Sequence, residues 1–117
     1  MKTLVTGGAG FIGSNLVDDL VRLDHEVVVI DDLSTGQLSN LDKFKNKIKF
    51  INIEISNNGE AIHKYFKNVD WVFHMAGRAD IVPSVTNPNS YFQSNVKGTL
   101  NILEASRKAK IKKFIYA

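Results

Sequence analysis

The sequence predicts an α/β protein: a doubly wound parallel sheet of about five strands, order 3-2-1-4-5, with helices on both faces. Three observations predict it. Short apolar, β-branched runs alternate with stretches of helical period along the whole chain, and parallel strands need crossovers of that kind. A turn holding Gly7, Gly8, Gly10 and Gly13, four of the eight glycines, separates the first strand from the first helix. The composition, 44% hydrophobic and 23% charged over 117 residues, suits one packed domain over residues 1–117.

The elements follow in order. Thr3–Thr6 is a short buried strand. Ile12, Leu16, Leu20 and Leu23 fall at helical spacing and predict a helix from Phe11 to Leu23 with that apolar face. Asp18 and Asp19 lie on its solvated side. Glu26–Asp31 is almost wholly β-branched, as a strand buried on both faces should be. The segment STGQLSN after it is rich in turn formers. Ile48–Ile53 is a third strand, and Glu60–Phe66 a short helix. Asp70–Gly77 is a fourth strand running into a small-residue loop. Pro83 and Pro88 bracket a loop, and a helix spans 89–109 with Phe92, Val96, Leu100 and Leu103 as its core face. Ile102 then falls on the outer side. Lys113–Ala117 is a fifth strand whose Phe114, Ile115 and Tyr116 offer no charge or proline to protect a sheet edge.

Composition narrows the function classes. There is no cysteine, so disulfides and thiolate metal sites are excluded. No apolar run approaches the ~18–20 residues of a membrane span, and Met1-Lys2 leads into no signal-peptide core. The expectation is a cytoplasmic protein with no membrane partner. The net charge of +3 comes mostly from RKAKIKK, Arg107–Lys113. These cations complement a helix C-terminus; without interleaved aromatics they make no nucleic-acid footprint. His25, His63 and His74 lack ligand spacing, so no metal site is expected. His74 ends a buried strand and is expected to be a hydrogen-bonded core residue. No G-x-S-x-G elbow is present.

The glycines carry the chemistry. Gly8, Gly10 and Gly13 satisfy G-x-G-x-x-G, and Gly7, Gly10 and Gly13 satisfy G-x-x-G-x-x-G. Between a strand and a helix this is the dinucleotide-binding arrangement of a Rossmann-type fold. The turn reverses sharply, a diphosphate approaches the bare backbone, and the helix N-terminus meets its charge. Asp31 lies 18 residues beyond Gly13 at the end of the second strand. An acid there binds a ribose diol and repels a 2′-phosphate, which favours NAD over NADP. A P-loop is excluded because Ser14 stands where its lysine should be.

Together these residues resemble the extended short-chain dehydrogenases, and within them the NAD-dependent nucleotide-sugar epimerases and dehydratases, UDP-sugar 4-epimerases most closely. VTGGAGFIGSN is similar to that family's cofactor loop, DDLSTG to its ribose turn, and FHMAGRADIVPSV to its loop after the fourth strand. NPNSYFQSNVKGTLNILEASRKAKIKKFIYA is similar to its following helix and strand. The resemblance implies that Phe11 and Ile12 offer N–H groups to the diphosphate. It implies that Asp31 holds the adenosine ribose within a turn of Asp32, Ser34, Thr35 and Gly36. Ala76, Gly77 and Arg78 line the nicotinamide side, and Asn95 supports it. Glu54-Ile55 stands where the family has an Asp-Ile pair for the adenine.

The resemblance also implies a Ser or Thr and a Tyr-x-x-x-Lys just beyond the fifth strand. No such pair occurs here: Val69 follows Tyr65 by four, Asn95 follows Tyr91 by four, and Tyr116 is penultimate. No catalytic residue is therefore assigned. The expectation is an incomplete NAD-binding domain, its nucleotide-sugar substrate bound by a part outside this chain. The helix at 89–109 is where the family's dimers pack, so a homodimer through it is possible. The alternatives are a stand-alone, non-enzymatic NAD-binding or sensor module, and an atypical reductase with another base.

Overall fold

In the computed structural model, which describes residues 1–57, 59–77 and 85–117, the β-branched run forms β2 (Glu26–Asp31), buried at every residue after Glu26. It pairs in parallel with β1 (Lys2–Thr6) on one side and β3 (Ile48–Asn52) on the other. β4 (Trp71–His74) joins the far side of β1, and β5 (Lys113–Tyr116) joins β4. The order is β3-β2-β1-β4-β5, all parallel, as the sequence predicts. Thr6 lies beside Ile30 on one side and His74 on the other, so three strands finish level. Val27 and Val29 face one layer of core, Val28 and Ile30 the other.

The first layer is built by α1 (Phe11–Arg22), which buries Gly13, Val17 and Leu20. This corrects the predicted face. Leu20 is buried and Leu16 half-buried, but Ile12 and Leu23 are exposed. Gly13 presses directly on the glycine turn, and that contact rolls the helix onto the Gly13–Val17–Leu20 side. Asp18 and Asp19 lie outside the core as expected, Asp18 pairing with Arg22 at 2.9 Å. The turn-rich segment holds an unpredicted 3₁₀-helix, Leu38–Phe44. Its Leu41 and Phe44, three apart and hence eclipsed, complete this layer.

The second layer contains Ile62 and Phe66, and the helix expected over Glu60–Phe66 is only a 3₁₀ turn at His63–Phe66. Seven residues are too few to sustain an α-helix by themselves. The long helix is present but interrupted: α2 (Pro88–Phe92), a π-helical segment Gln93–Lys97, and α3 (Gly98–Ala109). Asn87 caps it, accepting the Ser90 N–H, with Pro88 at the first helical position.

Its predicted core face is inverted. Gly98, Ile102, Ala105 and Ser106 are buried, whereas Phe92, Val96, Leu100 and Leu103 are 44–61% exposed. Small residues let α3 pack closely on the segment after β3: a Cβ at Gly98 would sit 2.9 Å from Ile55. α3 ends at Lys110 in the left-handed conformation, with Arg107 and Lys108 in the last turn where cations are favourable. Among the described residues no helix is long and apolar enough to cross a membrane.

Candidate functional site

β1 ends at Thr6 and the chain turns back into α1 through the glycines. Gly7 has φ +68°, and a Cβ there would sit 2.8 Å from the Ala76 nitrogen. A Cβ on Gly13 would strike the Gly7 carbonyl. Both positions therefore exclude a side chain. Gly10 caps α1 in extended geometry without a side-chain hydrogen bond, no acid occupies the first turn, and the ladder starts with Ser14 N–H to Gly10 O. The amides of Phe11 and Ile12 thus stand at a helix end built for an anion.

Asp31 stands across the turn. Its Oδ2 accepts the Ala9 N–H at 2.9 Å and its Oδ1 the Leu33 N–H at 2.8 Å. Asp32 accepts the Ser34 N–H at 2.9 Å. These two bonds hold a tight turn in which Leu33 has φ +62°, a strained conformation for a leucine. Each Asp31 oxygen keeps a further lone pair for a diol. Gly36 closes the turn against the Ala9–Gly10 peptide. Beyond β3, Glu54 Oε1 accepts the N–H and O–H of Ser56, at 3.1 and 2.7 Å.

The wall after β4 is held by a chain of hydrogen bonds. Thr6 Oγ1 accepts the N–H groups of Met75 and Ala76, both at 3.1 Å. With both lone pairs engaged it donates its proton to His74 Nδ1, 2.7 Å away. That sets the tautomer: Nε2–H donates to Thr99 Oγ1 at 2.8 Å, and Thr99 donates to the Asn95 carbonyl at 2.6 Å. His74 is fully buried, and burial pushes its pKa down to about 4. It is the hydrogen-bonded core residue that its position predicts. The chain ties β1 and β4 to the π-helical segment, which carries Ser94 and Asn95.

These elements enclose one cleft of about 320 Å³. Of the expected residues, Gly7, Gly10, Phe11, Ile12 and Gly13 line its glycine end. Asp31, Asp32, Ser34, Thr35, Glu54 and Ile55 line another side, and Ala76 and Gly77 a third. Gly36 and Asn95 lie behind the lining, Asn95 packed on Gly77. Arg78 falls outside the described residues. Sequence reasoning missed Ile30, Ile53, Met75 and Ser94. The first three sit at or just past the carboxyl ends of β2, β3 and β4, where open α/β sheets bind ligands; that rule would have found them. Ser94 carries no such signal. Among the described residues no group of three or more His, Asp or Glu is placed to hold a metal.

Residues 3–117 match the model of the NAD dependent epimerase/dehydratase family. A putative UDP-glucose 4-epimerase of Methanocaldococcus jannaschii is 41% identical over 114 residues, 97% of this chain and 36% of that protein. The UDP-glucose 4-epimerase of Thermotoga maritima, solved with UDP-glucose, superposes with a TM-score of 0.92 at 39% identity, over 99% of this chain and 37% of its own. That of Thermus thermophilus, solved with NAD, gives 0.85 at 36% identity, over 97% and 36%. The chain thus spans little more than a third of these relatives. The match runs through the glycine turn, the Asp31 turn and the wall after β4 alike, so the chain belongs to the NAD-dependent epimerase/dehydratase family.

Proposed function

We propose that residues 1–117 are an NAD-binding domain, and that it serves a nucleotide-sugar 4-epimerase or dehydratase. One observation carries this: a single cleft joins an open helix N-terminus over bare glycine backbone to the carboxylate ending β2. The amides of Phe11 and Ile12 bind the diphosphate. Asp31, set within the turn of Asp32, Ser34, Thr35 and Gly36, binds the adenosine ribose. Glu54 and Ile55 flank the adenine. Ala76 and Gly77 line the nicotinamide side, with Asn95 supporting it. When bound, NAD supplies a reversible hydride acceptor for oxidation at the sugar's fourth carbon.

The nucleotide sugar is held by a part of the enzyme outside this chain, and the base is a Tyr-x-x-x-Lys pair that this chain does not contain. The exposed stripe Phe92, Val96, Leu100 and Leu103 is the surface through which we propose two copies associate. Titration calorimetry tests the cofactor: NAD should bind and NADP at least tenfold more weakly, because Asp31 repels a 2′-phosphate. Preference for NADP overturns the assignment of Asp31.

A further inference from the structure

We propose that Asn40 is a positioning residue for the dinucleotide: it holds the Ala9 carbonyl turned away from the diphosphate and so sets the shape of the glycine loop. The proposal rests on the NAD-binding reading above. A loop that binds an anion through its N–H groups has one enemy within itself, its own carbonyl oxygens. A peptide plane that rotates presents an acceptor to the anion in place of a donor. Here the Ala9–Gly10 peptide, immediately before the amides of Phe11 and Ile12, is held at both ends. The Gly10 N–H bonds to Gly7 O at 3.1 Å. The Ala9 carbonyl accepts two donors, the Gln37 N–H at 3.0 Å and Asn40 Nδ2 at 2.8 Å.

Ala9 is fully buried and does not line the cleft, although Gly10 and Phe11 do. Asn40 reaches across 31 residues of sequence to make this bond. Its own place is secured by Leu41, buried beside it among Val17 and Leu20. The Asn40 residue itself is exposed and fills no core. Its amide therefore connects the 3₁₀-helix that follows the Asp31 turn to the loop that receives the diphosphate. Holding the loop in its binding shape beforehand spares the ligand the cost of ordering it.

The experiment titrates this chain and its Asn40→Ala and Asn40→Asp variants with NAD, ADP and adenosine, followed by amide NMR, beside thermal unfolding of each. Wild type should bind all three. Asn40→Ala should bind NAD and ADP about tenfold more weakly, the scale of one well-made hydrogen bond, with adenosine within about twofold and Tm nearly unchanged. Asn40→Asp, which sets a carboxylate against the Ala9 carbonyl and near the diphosphate, should lose more. Equal weakening of all three ligands together with a fall in Tm shows a structural role and overturns the proposal, as does unchanged NAD affinity in both variants. A wild-type chain that takes up neither NAD nor ADP overturns the binding reading itself, and the positioning role with it.

Discussion

At the scale of single residues, His74 shows how a buried titratable group is made structural. Its two ring nitrogens face hydroxyls whose directions are already decided, Thr6 donating to Nδ1 and Thr99 accepting from Nε2. A second ring proton would meet a donor at Nδ1, and burial opposes the charge. The sign of the pH effect follows. The unfolded chain takes up this proton near pH 6.5, the folded chain only near 4. The neutral ring stabilises the fold fully above about pH 6.5, and that contribution is lost as pH falls toward 4. The loss is about 3 kcal/mol in all. Urea unfolding from pH 7 to 4 should show this slope, and His74→Gln should flatten it. Asp70, held below the ordinary carboxylate range by the Lys2 amide and then Lys112, and Glu104, held down by its Arg107 hydrogen bond, add slope of the same sign at the acid end, so the difference between wild type and His74→Gln isolates the imidazole. An unchanged slope in the variant would remove His74 as its source.

At the scale of elements, the strands were legible because their signal is simple. Val27–Ile30 is apolar and β-branched throughout, and the strand runs over the predicted Glu26–Asp31. The glycine turn was equally legible, since its residues answer steric demands that no other residue meets. The helix faces were misread for one physical reason. Periodicity follows large apolar side chains, but the closest helix contacts here use small ones. Gly13 in α1, and Gly98, Ala105 and Ser106 in α3, make contacts that leave no hydrophobic signal. The π-helical segment was invisible for another reason: the His74–Thr99 bond that accompanies it is tertiary.

The same inversion yields a prediction. Phe92, Val96, Leu100 and Leu103 follow one another by three or four residues, a continuous apolar stripe that the sheet does not cover. Sedimentation equilibrium should find a dimer of this chain, and Val96→Glu or Leu100→Glu should find a monomer. Because both sites are exposed within one copy, Tm extrapolated to low concentration should shift by about 0.5 kcal/mol equivalent or less. A monomeric wild type would sink the proposed interface.

At the scale of the whole molecule, topology decides where chemistry is possible. The chain builds outward from β1 to β2 and β3, then crosses back to β4 and β5. The cleft opens at that reversal, between the ends of β1 and β4, as the general rule for open α/β sheets requires. Among the described residues its titratable lining is all at one end: Asp31, Asp32 and Glu54, on the side proposed for adenosine. The side proposed for nicotinamide is lined, among the described residues, by Met75, Ala76, Gly77 and Ser94, none of which is a base at neutral pH. His74 is near in sequence, but both its nitrogens are engaged and it is buried. Hydride transfer from a sugar's carbinol carbon needs a partner for the hydroxyl proton, and among the described residues this wall offers none. The chain by itself should therefore bind NAD and leave UDP-glucose unchanged, followed by the anomeric proton signals of UDP-glucose and UDP-galactose. Joined to the remaining length of the Thermotoga maritima relative, it should acquire turnover. Turnover by the chain alone would show a base that this cleft does not contain. NAD binding in the joined protein without turnover would favour a stand-alone binding module over the cofactor part of an enzyme.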